Sequence, residues 1–439
     1  MALACAAGAS PEGDGAAPDS GANANAASGT PMVDWSPAEN LPRWLQLGGQ
    51  IRGRFEDVSG TSLASSASDA YYLSRIRVNL GIKPFSWLRF FAQAQDARVG
   101  GYNTAPAPAT LYNPMDLRQG YVALDLGGAT RVGVTAGRQE LAFGGERLIG
   151  PADWGMSHTF DAVDLSLTRG RAKVDFFAGS EVLIDPSRFD RHKPGEHLYG
   201  AYGSIRNVLR GMNVEPYVLF KQTLQVKSET GVAGDALVVS PGVRVVGKAP
   251  GRLDYTVEEV VQRGSYSSDR VSAMAQSYVA GWTIVDSAWK PRVSVEYSYA
   301  SGDSANKDGI RGTFDQFYPT NHANYGQIDQ FGWKNLKNWR AGFDCLPVPK
   351  MKLRVDFNDF SLATVEDAFY NSSGNSMALN RLATSGQLGT EINTVALYQW
   401  TKIWKFGAGY GRLFAGDFLK QSKAGLGYTY PYLMFTGTF

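Results

Sequence analysis

Leu45-Gln46-Leu47-Gly48-Gly49-Gln50-Ile51-Arg52-Gly53-Arg54-Phe55-Glu56 alternates with a period of two, with Leu45, Leu47, Ile51 and Phe55 on one parity and Gln46, Gln50, Arg52, Arg54 and Glu56 on the other. Successive side chains of a strand leave on opposite faces, so this stretch predicts a β-strand with one apolar and one charged face. Residues 71–83 repeat the design, setting Tyr72, Ile76, Val78, Leu80 and Ile82 against Arg75, Arg77, Asn79 and Lys83. After the Lys83-Pro84-Phe85-Ser86 turn, Leu88, Phe90, Ala92 and Ala94 alternate with Arg89, Gln93 and Gln95.

Less regular segments follow near 116–127, 131–139, 159–168, 173–182, 197–204, 213–224, 237–247, 252–262, 270–284, 291–300, 334–345, 352–360, 388–400, 404–414 and 427–439, which brings the expected strands to eighteen. The links alternate in length. Those at 83–86, 128–130, 169–172, 205–212, 248–251, 285–290, 346–351 and 401–403 are short, whereas those between include 97–115, 140–158, 301–333 and 361–387. An even strand number with turns on one rim and loops on the other is the pattern of an all-β, transmembrane, antiparallel up-and-down barrel of the bacterial outer membrane, with both termini in the periplasm. Hydrocarbon offers no hydrogen bonds, so a sheet surrounded by outer-membrane lipid must close on itself and leave no edge. Its outer face is then expected to be apolar and its bore wet. Trp87, Phe176, Tyr255, Trp289, Tyr299, Trp400, Trp404 and Tyr410 near strand ends fit interfacial girdles.

Composition agrees by exclusion. Among 439 residues, 43 Lys+Arg against 41 Asp+Glu give a net charge of +2, which marks the chain for no nucleic acid. An apolar share of 44% rules out disorder throughout, and no run approaches the roughly 18 apolar residues of a spanning helix. Cys5 and Cys345 are the two cysteines, too few for a disulfide framework or a CxxC metal site. Residues 1–34, rich in Ala, Gly, Ser, Asn and Pro, read as a flexible leader or signal remnant, with Cys5 as an alternative lipid-anchor position. The barrel domain is expected over 35–439, with order beginning near Trp35.

Gly137-Arg138-Gln139-Glu140-Leu141, Gly145-Glu146-Arg147-Leu148-Ile149-Gly150-Pro151, Asp153-Trp154 and Phe160-Asp161 together resemble the signature block of the alginate-export porin family. A second block, Phe314-Asp315-Gln316-Phe317-Tyr318-Pro319-Thr320-Asn321-His322 with Tyr325-Gly326 and Trp333, is similar to a stretch found in its wider membership. The resemblance spans residues 45–439. It implies an 18-stranded monomeric barrel whose narrowed, arginine-rich lumen passes an anionic uronate polymer outward by diffusion. It carries Arg138, Arg147 and Asp153 into the site by motif. The family's named exporter has a periplasmic lid loop, and the short links on that rim leave no place for one. The final strand, Tyr428 to Phe439 with Leu433 and Phe435 on one parity, resembles the signal that such barrels present to the assembly machinery.

Independently of motif, inward parity assigns Arg52, Arg54, Arg75, Arg77, Arg89, Arg118, Arg244, Arg292 and Arg354 to the lumen, with Glu56, Asp125, Asp175, Glu215, Asp254, Glu258, Glu296 and Asp356 on the same face. A guanidinium matches a carboxylate with two hydrogen bonds and stays protonated, so such a wall offsets the cost of dehydrating an anionic oligo- or polysaccharide. The competing role is structural, as ion pairs that hold a wet interior together. The excess is greatest over 45–95, where a cationic stripe is expected. Arg138 poses a conflict, since it shares the parity of the lipid-facing Val132, Val134 and Ala136; a bulge, or a strand that has already ended, would resolve it, and the family motif favours a rim or inward-folded loop position, where Gly144 and Gly145 would let the backbone turn sharply.

Other chemistry is poorly supported, and no cofactor is indicated. His158, His192, His197 and His322 lie in or beside links without metal-ligand spacing. Glu258 and Glu259 leave a strand on opposite faces and cannot share acid–base work. Gly407-Ala-Gly-Tyr-Gly411 lies inside a strand, the wrong context for a dinucleotide loop. Asp303, Asn306 and Asp308 form a weak calcium candidate that departs from EF-hand spacing. The expected function is therefore a channel for anionic, uronate-type substrates and not an enzyme; a general or small-organic-anion porin is the alternative, and a closed structural barrel a more distant one.

Overall fold

A computed structural model of the chain describes residues 41–60, 68–103, 107–425 and 427–439. The expected leader and the onset of order at Trp35 lie outside these residues. Eighteen strands form the wall: β1 Leu45–Ser59, β2 Ser68–Phe85, β3 Leu88–Gly100, β4 Asn113–Leu126, β5 Arg131–Gln139, β6 Phe160–Arg169, β7 Ala172–Leu183, β8 Glu196–Leu209, β9 Met212–Lys227, β10 Ala233–Ala249, β11 Leu253–Tyr266, β12 Asp269–Thr283, β13 Arg292–Ala300, β14 Leu336–Cys345, β15 Met351–Leu362, β16 Gln387–Gln399, β17 Trp404–Ala415 and β18 Gly427–Thr438. Each pairs antiparallel with its neighbours in sequence, and β18 returns to β1 with Ile51 opposite Gly437 and Phe55 opposite Leu433, closing the barrel. Closure leaves the wall no open edge, as hydrocarbon requires.

The expected alternation holds along the wall. Ile76, Val78, Phe90, Phe357 and Leu433 are exposed on the outside, while Arg54, Arg75, Arg77, Gln93 and Gln95 are buried toward the bore. In β4 the pairing with β3 steps from Gln119 opposite Gln93 to Leu117 opposite Ala94, and this bulge keeps both Arg118 and Gln119 inside. Short turns define one rim, the longest running over 284–291; the loops, the longest at 301–335, define the other. Exposed Phe85, Trp87, Trp282, Trp289 and Trp400 gather at the turn rim, with Phe85 and Trp87 stacked at 5.4 Å. Phe176 and Tyr410, expected at strand ends, sit part-way up the wall instead.

The bore departs from a uniformly wet interior. Loops 140–159 and 301–335 fold into it and bring apolar side chains with them. Leu141, Leu148, Ile149, Phe314, Tyr325, Phe331 and Trp333 are buried there, against inward residues of the wall such as Phe160, Leu198, Leu219, Phe360 and Leu362. Inward apolar residues thus mark where a loop docks, because a side chain facing the bore gains by meeting another apolar surface in place of water.

Candidate functional site

Arg52 of β1 lies directly opposite Arg75 of β2, with Arg54 and Arg77 on neighbouring levels and Arg118 on β4. Like charges facing one another across a sheet repel, so the stripe needs a counter-charge, and loop 140–159 delivers Asp153. Its carboxylate accepts from Arg75 Nη1 at 3.0 Å and Nη2 at 2.9 Å and from Arg77 Nη2 at 2.6 Å, with Arg118 at 3.9 Å. Arg52 and Arg75 also donate to the Asp153 backbone carbonyl, at 2.8 and 3.1 Å. Burial by itself would raise the Asp153 carboxyl; Arg75, Arg77, Arg118 and Arg52 outweigh it and hold the group well below the usual carboxylate range.

The next residue continues the contact. Trp154 receives Arg54 over its ring at 4.0 Å, donates its indole N–H to Tyr430 at 3.0 Å and stacks on His322 at 4.2 Å. Arg54 pairs with Glu56, which also accepts from Tyr71 and Tyr430 at 2.7 Å each. Arg118 is shared between Gln93 at 2.5 Å and the loop carboxylate of Glu140. The stripe therefore brings Arg52, Arg54, Arg75, Arg77 and Arg118 to the carboxylates of Asp153, Glu56 and Glu140.

Loop 140–159 is held in place by loop 301–335. Tyr318 N–H donates to Leu148 at 2.8 Å and Gly150 N–H to Tyr318 at 2.9 Å, which make one parallel bridge of Ile149 with Tyr318, and Thr320 N–H extends this short ladder with a bond to Glu146 at 2.9 Å. Arg147 leaves this ladder toward the far wall, donating to Tyr325 at 2.9 Å and to Glu296 of β13 at 2.5 Å; Arg340 of β14 holds the other Glu296 oxygen at 2.6 Å. Around that wall charges are largely matched, as in Arg244 with Glu215 at 2.9 Å and Arg292 with Asp254 at 2.7 Å. The bore is cationic on β1–β4 and close to neutral opposite, a field set across the axis.

Of the other expected positions, Arg89 faces the bore near the turn rim and donates to Tyr121 at 3.0 Å, and Arg354 pairs with Asp344 at 2.7 Å on the same rim. Arg138 is corrected. It remains in β5, on the outward parity that its neighbours indicated, and binds Asp161 of β6 at 2.8 Å, the Leu117 carbonyl at 3.1 Å and the Asp190 carbonyl at 2.9 Å. Neither a bulge nor an early strand end intervenes; the carboxylate and carbonyls of the loop rim let a guanidinium sit on the outer face. Asp303 and Asp308 accept from the nearby amides of Ala305 and Ile310, and no group of three or more His, Cys, Asp or Glu able to hold a metal is present among the described residues. Trp154, Tyr430, Tyr432, His322 and Glu140 complete the constriction without having been singled out as site residues; the two motif blocks, read as partners, are a signal for Glu140, Trp154 and His322, and the inward parity of the last strand is the signal for Tyr430 and Tyr432.

A sequence profile described as alginate export matches residues 43–426. The chain belongs to the alginate export family. Among solved structures, this family member is similar to OccAB4 of Acinetobacter baumannii, at a TM-score of 0.61 and 11% identity, covering 92% of this chain and 100% of that one. It also resembles OpdQ of Pseudomonas aeruginosa, at 0.59 and 12% identity over 90% of this chain and 98% of that one. A BenF-like porin of Pseudomonas fluorescens Pf-5 matches at 0.59 and 10% identity, covering 90% and 98%. No functionally curated protein matches the sequence. At these identities the likeness is one of fold, and with the family it makes this alginate-export-family barrel an outer-membrane channel.

Proposed function

We propose that the barrel conducts anionic oligo- or polysaccharides of the uronate type passively, past the guanidinium stripe of β1, β2 and β4, and that it does so as a monomer with no catalytic step. The supporting observation is the convergence of Arg75, Arg77 and Arg118 on the single carboxylate of Asp153, with Arg52 on its backbone carbonyl, which leaves guanidinium donors in excess at the level where two loops narrow the bore. A carboxylate on each sugar would exchange with Asp153 for these donors in turn, so that no sugar is held by the whole set. The short turns face the periplasm in this reading, which puts the described N-terminal residues and the end of β18 there; β18, with Leu433 outward, is the strand that the assembly machinery engages. Reversing charge at both positions, Arg75→Glu with Arg77→Glu, is expected to shift the reversal potential in planar bilayers toward cations. Block of ion current by uronate oligomers, absent with neutral glycans of equal length, is the companion expectation. An unchanged reversal potential removes the stripe from the conduction path.

A second reading rests on the same loops. Two segments packed into the bore favour small substrates, and a small-organic-anion porin would show selectivity for anions with no dependence of block on oligomer length.

A further inference from the structure

The net charge of +2 hides a strong axial division. Taken with three residues on either side, the eight turns carry fifteen Lys or Arg and four Asp or Glu, whereas the nine loops counted in the same way carry fifteen Lys or Arg and twenty Asp or Glu. Every turn contributes at least one cation. Several of these cations lie on the inward parity at the mouth. Lys83 continues the face of Arg75 and Arg77, Lys352 that of Arg354 and Asp356, and Lys405 alternates with the outward Phe406. Arg131 and Lys173 share this position on β5 and β7 and face Asp125 at 3.0 Å and Asp175 at 2.9 Å. The Arg131–Asp125 pair is exposed on both sides and worth little, whereas Lys173, itself exposed, reaches a buried Asp175; Lys83, Lys352 and Lys405 are the inward cations that remain for a ligand.

We propose that this collar is a capture site for polyanions on the turn side of the barrel. Like-signed charges around a mouth with low-dielectric walls focus their field and raise the local concentration of a multivalent anion, and a Debye length of about 8 Å at physiological salt lets neighbouring cations act together. The loop rim does the reverse more mildly, since the seven loops other than the two folded into the bore carry nine Lys or Arg and twelve Asp or Glu. A chain of carboxylates is therefore gathered at one mouth, passed to the arginine stripe and repelled from re-entering at the other. The proposal rests on the anionic-substrate reading above and extends it to a site outside the constriction and to a preferred side.

The test is single-channel block, with uronate oligomers and, separately, inorganic polyphosphate added to one side at a time. Channel orientation is fixed by a cysteine at Ser287, in a Cys5→Ser background, reacted with a membrane-impermeant maleimide. Blocking on-rates are expected to be about tenfold higher from the turn side than from the loop side, and to lose that excess in the triple variant Lys83→Gln, Lys352→Gln, Lys405→Gln, with off-rates and loop-side on-rates unchanged. The excess should also fall steeply as salt is raised. Equal on-rates from the two sides for both probes, or a triple variant indistinguishable from the parent, overturns the collar. Asymmetric block by polyphosphate with none by uronate keeps the collar and overturns the uronate reading instead.

Discussion

At the scale of single residues, Asp153 governs the constriction. Substituting Asp153→Asn removes the carboxylate while leaving the buried guanidiniums in place, and breaking such a pair from one side costs on the order of 3 kcal/mol. The expected outcome is a lower unfolding midpoint together with a reversal potential moved further toward anions, opposite in sign to the double reversal at Arg75 and Arg77. The pH dependence follows from the same geometry. Because the Asp153 carboxyl is held well below its ordinary value, and Asp315 is brought down to about 2 by Lys221 and Lys334 against the opposing effect of burial, their docking contribution is complete above the ordinary carboxylate value of about 4. It is lost only as pH falls through the depressed values. The share of the conductance that Asp153→Asn abolishes should therefore hold steady from neutrality to about pH 4 and change below it, at constant ionic strength; a transition of that share centred between pH 5 and 7 would contradict the assignment. Much of this cluster is legible in the sequence, since parity alone sends Arg52, Arg54, Arg75 and Arg77 inward. Parity also sends Arg138 outward, and the structure keeps it on that parity at the loop end of β5, in agreement with the rim position the motif favoured and not with a place among the lumen residues. The carboxylate partner is legible by resemblance only, because no period in loop 140–159 says where Asp153 lands.

Among elements, strands and loops differ in what their sequences disclose. A strand of the wall faces two fixed solvents, lipid and bore, and prints that contrast at every second residue; the alternation in 45–56 and 71–83 is enough to place β1 and β2. Loops 140–159 and 301–335 face each other, and a surface formed by two irregular segments has no period to read. Apolar residues at the loop end of β8 and β9, such as Leu198 and Leu219, look like weak strand patterning until the docked loops explain them. Their ladder is testable at Gly150, where an added Cβ would overlap Thr320 Oγ1 and the Glu146 side chain. Gly150→Ala is expected to separate the loops, raising open-channel conductance and low-frequency current noise while leaving the wall intact. Unaltered traces would show that the ladder does not limit the bore.

For the molecule as a whole, the wall and its filling are separable. Wall strands are closed by backbone pairing from β1 to β18, and none of that pairing passes through the loops. Phe331 lies inside, stacked on Phe360 at 4.2 Å and tilted against Phe369 at 5.5 Å. Truncation by Phe331→Ala is expected to cost about 3–5 kcal/mol of loop docking. The far-ultraviolet signature of the strands and the heat-modifiable gel mobility of the barrel should stay as they are, while the rate of proteolytic cutting within 301–335 rises. Simultaneous loss of strand signal and loop protection would mean that filling and wall fold as one unit.

Two loops rooted on different staves are stitched by a ladder of only a few backbone bonds, so neither carries the shape of the passage alone. Transplanting one of them into a related barrel would bring half a clasp without its catch. Altered substrate range, whether arrived at by natural divergence or by engineering, is expected to require exchange of the pair, with paired grafts retaining a defined aperture and single grafts yielding leaky, ill-formed ones.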